Sequence, residues 1–194
     1  MENKNIYIIA GCNGAGKTTA AFTLLPEMIN CREFVNADEI ARGISPFHPE
    51  KVAIEAGRRM LCRIDELMLN NESFSFETTL STRSYKNKML EAKENGYTVT
   101  LLFFWLESVE LAKKRVQIRV SEGGHSIEPE VIERRYINGI KNLFDIYLSV
   151  VDGVLIFDNS NSKPLLLAEK GKDEPLCIID IVKFNHFKEY YEQH

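Results

Sequence analysis

Along the chain, short apolar runs alternate with stretches in which apolar residues recur every third or fourth position. Strands buried on both faces, alternating with amphipathic helices, produce that pattern. Ile6-Tyr7-Ile8-Ile9-Ala10 is the first run and ends at Gly11. Lys17 to Leu25 reads as a helix stopped at Pro26, and Glu33-Phe34-Val35-Asn36 as a second strand, before Pro46 and Pro49 punctuate a loop. From Glu50 to Leu69, the residues Ala53, Ala56, Met60, Ile64, Leu67 and Met68 fall on one face of a long helix. Ser73 to Phe76 predicts a third strand, Thr82 to Glu94 a helix closed by Asn95-Gly96, and Tyr97 to Leu106 a fourth strand. Ser108 is placed to cap a helix running to about Val120.

A polar Gly-Gly stretch around Ser121 to Ser126 interrupts the periodicity and predicts a lid over about 121–128. Pro129 then opens a helix to Leu148, and Val150 to Phe157 supplies a fifth strand. Pro164 to Ala168 and Leu176 to Ile179 flank Gly171-Lys172-Asp173, which predicts a hairpin, and Ile181 to Tyr191 predicts a closing helix, so that hairpin and helix together fill about 163–192. The expected architecture is α/β: a five-stranded parallel sheet with helices on both faces and ligands at the carboxyl ends of the strands.

Composition narrows this. The 194 residues fit one domain spanning 1–194, its core at about 5–160, and 44% hydrophobic with 27% charged residues suits a globular chain. A net charge of −4 without a long basic block argues against a nucleic-acid partner, and no apolar run is long enough to span a bilayer. Cys12, Cys31, Cys62 and Cys177 form no C-x-x-C pair, so neither zinc nor a disulfide framework is indicated and a cytoplasmic location is expected. Cys12 reads as a small filler rather than a redox thiol.

The chemistry concentrates at strand ends. Gly11-Cys12-Asn13-Gly14-Ala15-Gly16-Lys17-Thr18 has the G-x-x-x-x-G-K-[ST] spacing, placed between a strand and a helix. Its glycines let backbone N–H groups from Gly11, Asn13, Gly14, Ala15, Gly16 and on to Thr19 turn toward phosphate oxygens. Lys17 should reach the β- and γ-phosphates of ATP, and the Thr18 hydroxyl should ligate Mg²⁺. The fold class is therefore a P-loop NTPase, nucleoside-kinase-like in its glycine-rich lid and C-terminal hairpin plus helix. Glu77 ends the third strand, where a carboxylate can hold Mg²⁺ directly or through water, with Thr78, Thr79 and Arg83 facing an acceptor. Asp38, after the second strand, fits two roles from spacing alone: a base taking the proton of a substrate hydroxyl, or a helix N-cap.

Arg115 and Arg119 share a helix face before the glycine stretch, and Arg134 and Arg135 follow it. Arginines closing on a nucleotide neutralise charge on the transferring phosphoryl group, with Arg119 the nearest to the lid. His125 is either a ligand contact or a polar lid residue without a role. Asp158-Asn159-Ser160 reads as an Asx-type turn more readily than as an approach to the nucleotide base.

Taken together, Gly11 to Thr18, Asn36-Ala37-Asp38-Glu39-Ile40 with Ser45-Pro46, Phe76-Glu77-Thr78-Thr79-Leu80, and Gly123-Gly124-His125 with Pro129 and Arg134-Arg135-Tyr136 resemble the zeta toxin family of P-loop kinases, in particular its short stand-alone chromosomal members. The resemblance implies a kinase moving the ATP γ-phosphate to a hydroxyl of a small molecule, a nucleotide sugar such as UDP-N-acetylglucosamine in the toxic members. It implies Asp38 as the base, Lys17 with Arg119, Arg134 or Arg135 at the phosphates, and an antitoxin-like protein inhibitor as a partner. The competing expectation is a regulatory P-loop ATPase, a nucleotide switch without an acceptor.

Overall fold

The computed structural model describes residues 4–28, 31, 33–124 and 126–194. Five parallel strands form the heart of the sheet: β1 (Lys4–Gly11), β2 (Phe34–Val35), β3 (Phe74–Thr78), β4 (Tyr97–Trp105) and β5 (Gly153–Asp158). Along β1 and β4 consecutive residues are buried: Ile8, Ile9 and Ala10 in the first, Leu101 through Trp105 in the second. Successive strand side chains point to opposite faces, so both faces are covered, as the continuous apolar runs predict.

The hairpin does not stand apart from that sheet. β6 (Leu165–Lys170) pairs antiparallel with β5, and β7 (Cys177–Ile178) antiparallel with β6, giving seven strands in the order β2-β3-β1-β4-β5-β6-β7. The five parallel strands and the C-terminal hairpin are as expected, and the hairpin raises the strand count of the sheet from five to seven among the described residues. A hairpin leaving β5 finds that strand's open edge beside it, and unpaired backbone groups there are satisfied by pairing.

The helices are α1 (Lys17–Met28), α2 (Ala37–Ile44), α3 (Ala53–Leu69) preceded by a 3-10 turn (Pro49–Val52), α4 (Tyr85–Glu94), α5 (Val109–Ser121), α6 (Pro129–Asn142), α7 (Leu148–Val150) and α8 (Ile181–Gln193). Helix α1 continues past Pro26 to Met28, because a proline there removes a single backbone donor close to the helix end. Ser108 caps α5, accepting from the Leu111 N–H at 3.2 Å, as expected. The helix opened by Pro129 runs through a π-helical stretch (Leu143–Tyr147) into α7. It takes in Val150, assigned from the sequence to the fifth strand, whose apolar side chain is buried as readily at a helix end.

Helix α6 and its extension grip the loop after β3. Asn142 donates to the Leu80 carbonyl at 2.8 Å, Tyr147 to the Thr82 carbonyl at 3.1 Å, and a Cβ on Gly139 would stand 2.7 Å from the Thr79 carbonyl oxygen. The approach of these two backbones excludes any larger residue at 139.

The turn into β5 depends on Asp152, which accepts from the Val99 N–H and pairs with Lys93, both at 2.9 Å. Burial pushes its carboxyl up, but the Val99 and Lys93 contacts outweigh burial and hold it below the ordinary value. A carboxyl depressed in the folded state stabilises the fold above its unfolded pKa and loses that contribution as pH falls through the folded one. Asp152→Asn should therefore cost about 1–3 kcal/mol at neutral pH. Chemical denaturation across pH 7 to 3 should show the gap between wild type and variant closing at the acid end.

Candidate active site

The phosphate loop folds as a cradle because β1 ends where side chains cannot follow. Gly11 has φ 144°, and a Cβ there would lie 2.3 Å from the Phe104 carbonyl oxygen. The loop closes through Ala15 N–H to the Cys12 carbonyl at 3.2 Å, and α1 starts at Lys17. Cys12 is buried and its thiol is pushed up to about 11, chiefly by burial, as befits a filler and not a reactive thiolate.

Strand register supplies the carboxylate. Ile9 pairs with Glu77 across β1 and β3, and Val35 with Phe76 across β3 and β2, so Glu77 and Asn36 arrive beside the loop at one level. Glu77 then accepts the Thr18 hydroxyl at 2.7 Å and the Asn36 amide at 2.9 Å, and its other oxygen lies 3.4 Å from the Lys17 ammonium. Lys17 also donates to the Cys12 carbonyl at 2.9 Å and is 6% exposed, so a buried cation is neutralised by a partly buried carboxylate at the loop's mouth.

Asn36 also decides the standing of Asp38. The N-cap of α2 is Asn36, whose side-chain oxygen accepts from the Asp38 and Glu39 N–H groups at 2.8 and 3.4 Å. The N-cap alternative for Asp38 is thereby corrected: its carboxylate sits in the first turn and lines the same cleft as the loop. That cleft, of about 280 Å³, is also lined by Asn13, Gly14, Gly16, Lys17, Thr18, Thr19, Glu39, Arg42, Glu77, Arg115 and Arg119.

The basic residues divide. Arg119 faces the cleft with its Nε and Nη2 buried and without a hydrogen-bond partner among the described residues. Arg135 donates to the Asn13 side chain at 3.1 Å, and burial pulls its pKa below the ordinary value while Asp38 pulls it back up. Neither Arg134 nor Arg135 lines the cleft; Arg134 is exposed, one residue's step along α6 turning it about 100° from Arg135 and the phosphate loop. Thr78, Thr79 and Arg83 are not cleft-lining either: Thr78 accepts from the Leu80 N–H at 3.0 Å, Thr79 shares a 2.9 Å bond with Ser81, and Arg83 is exposed. They shape the loop that α6 holds. Gly123 and Gly124 close α5, donating to the Val120 and Arg119 carbonyls at 3.0 and 2.8 Å, and His125 lies outside the described residues. Asp158 makes the expected Asx turn, accepting from the Ser160 N–H at 2.9 Å.

Sequence reasoning passed over Asn36, Arg42 and Glu39 as site residues. An asparagine before Ala-Asp-Glu is an N-cap signal, and it was available. The rim pair Arg42 and Glu39, 3.3 Å apart, had none.

This arrangement of loop, lysine, hydroxyl and carboxylate is matched by a known family. The zeta toxin family profile matches residues 1–170. The chain belongs to the zeta toxin family. This zeta toxin family chain is also 34% identical over 137 residues to a protein of Haemophilus influenzae described as uncharacterized, covering 70% of the chain and 94% of that protein. Among solved structures it resembles the AvrRxo1-ORF1:AvrRxo1-ORF2 complex with sulphate ions (TM-score 0.78, 14% identity), covering 95% of this chain and 63% of the other. It also resembles a structure of the PezAT chromosomal toxin–antitoxin system of Streptococcus pneumoniae (TM-score 0.64, 18% identity; 87% and 72% covered). These are likenesses of fold, and the chain spans less than two thirds of the AvrRxo1 chain it matches. Family and fold agree with the phosphate-binding loop read from the sequence. Among its described residues no helix is long and apolar enough to cross a membrane.

Proposed function

We propose that this chain is an ATP-dependent small-molecule kinase that transfers the γ-phosphoryl group to a hydroxyl, with a nucleotide sugar as the acceptor class. The observation that carries the reading is that Asp38 shares one cleft with Lys17, Thr18 and Glu77, so a proton acceptor faces the phosphate-binding apparatus. A relative of the same fold was solved with ATP, which supports ATP as the donor.

Asp38 would take the proton of the acceptor hydroxyl as that oxygen bonds to the γ-phosphorus and the bond to the bridging oxygen of ADP breaks. Lys17, released toward the phosphates from its pairing with Glu77, and Arg119 would hold charge on the transferring group, with Arg135 steadying the loop through Asn13. Thr18 and Glu77 present a hydroxyl and a carboxylate oxygen 2.7 Å apart, the hard-oxygen pair that Mg²⁺ takes alongside phosphate oxygens and water. Bound there, Mg²⁺ would neutralise phosphate charge. Two relatives come from complexes with a second protein, one of them a toxin–antitoxin system, which supports an antitoxin-like inhibitor as a partner.

Incubation with γ-labelled ATP and a panel of nucleotide sugars, nucleosides and oligonucleotides tests the reading. Label should pass to a nucleotide sugar. Label appearing solely as free phosphate across the panel would overturn it in favour of a regulatory ATPase.

A further inference from the structure

Behind the phosphate loop, Asn159 donates its side-chain amide to the Ala15 carbonyl at 2.7 Å. The same nitrogen stands 2.7 Å from where a Cβ on Gly16 would be. A trans peptide is planar, with its carbonyl and N–H pointing in opposite directions. Gripping the Ala15 oxygen from behind therefore turns the Gly16 N–H the other way, and Gly16 lines the cleft. Without the grip, that peptide is free to rotate and one convergent donor is lost.

Asn159 is itself held on three sides. Its N–H donates to the Trp105 carbonyl at 2.8 Å, and Arg115 donates to the Asn159 and Ser160 carbonyls, both at 2.8 Å. The Ser160 hydroxyl donates to Asp158 and accepts from the Glu107 N–H at 2.9 Å. Asp158, 2% exposed, is ion-paired with Lys183 in the first turn of α8. Burial pushes the Asp158 carboxyl up, and the bonds from Lys183 and Ser160 outweigh it to keep the group ionised.

Residue 183 lies beyond residue 170, where the family match ends. Helix α8 does not need Lys183 to stay docked, because Phe187 packs on Trp105 and Phe103 with ring centres 5.1 and 5.9 Å apart. A charge turned inward from a helix already anchored by aromatic rings is available for another task. We propose that Lys183 is a positioning residue for the nucleotide: through Asp158 and its turn it holds the Asn159 amide on the phosphate loop, so the C-terminal helix sets ATP affinity.

The inference rests on reading the cleft as an ATP site, and calorimetric titration of the full chain with ATP and Mg²⁺ separates the two. Asn159→Ala should weaken binding by up to about tenfold, the worth of one hydrogen bond, and Lys183→Met by a smaller factor. Lys183→Arg should restore affinity to within about twofold of wild type, since it returns the charge to Asp158. In the double variant the losses should not multiply, because Lys183 acts through Asn159. Wild-type affinity in Lys183→Met, even with a lowered melting temperature, would overturn the proposal by reducing Lys183 to a fastening of the C-terminus. Losses that multiply would overturn it too. If Lys183→Met does not fold, Asp158→Asn combined with Lys183→Met removes both charges and faces the same criteria. Failure of the wild type to bind ATP refutes the kinase reading itself, not this step.

Discussion

Asp38→Asn should lower kcat by about 10²–10⁴-fold, the worth of a positioned general base, while ATP affinity stays within about twofold of wild type. The expectation of intact binding comes from the structure. Among the described residues no hydrogen bond joins the Asp38 carboxylate to the phosphate-loop backbone; its N–H, not its carboxylate, enters the capping bond with Asn36. Asparagine keeps that backbone bond and the side-chain shape but cannot take a proton at neutral pH. The substitution also removes the negative charge that raises the Arg135 pKa, so a small gain in affinity for the anionic nucleotide is the direction in which binding should drift. Rapid-quench single turnover with the identified acceptor, alongside calorimetry with ATP, checks both halves. Transfer at the wild-type rate would remove Asp38 from the role of base.

Arg119→Met should lower kcat/KM by about 10²–10³-fold, and should do so without destabilising the protein. Two of the arginine's guanidinium nitrogens are buried and lack partners among the described residues. A buried donor without an acceptor costs stability, and methionine keeps most of the aliphatic stem while deleting that cost. The melting temperature should hold steady or rise. Opposite movements of activity and stability mark a side chain kept for its ligand, because a residue kept for packing loses both together. A variant with kcat/KM within about threefold of wild type would show that Arg119 does not meet the transferring phosphate.

The phosphate loop and the strands around it were legible in the sequence because their signals are local: an apolar run, glycines at fixed offsets, then a helix start. Glu77 was legible as a strand-end carboxylate, but its meeting with Lys17, Thr18 and Asn36 depends on registers between β1, β3 and β2, segments dozens of residues apart. Periodicity says nothing about register. Helix α2 was legible in part: a helix start at Asp38 was one of that residue's two readings, and Ala37, Ile40, Ala41 and Ile44 carry the helical spacing, but the cap proved to be Asn36. The hairpin was visible as two strands, while its attachment to β5 was not, since any strand edge offers the same backbone groups. The arginines show the limit of counting along a helix. Arg134 and Arg135 are adjacent in sequence, and α6 turns one to the phosphate loop and the other to solvent.

The rod formed by α6 and its π-helical extension touches two separate loops at the carboxyl ends of the strands. It meets the phosphate loop through Arg135 and Asn13, and the loop after β3 through Gly139, Asn142 and Tyr147. Two loops moored to one rigid body do not fluctuate independently. When the rod shifts, both shift with it, so their separation varies less than either loop's own position. Correlated motion of this kind lets the phosphate loop keep its place against its neighbour with fewer contacts than two independent loops would need.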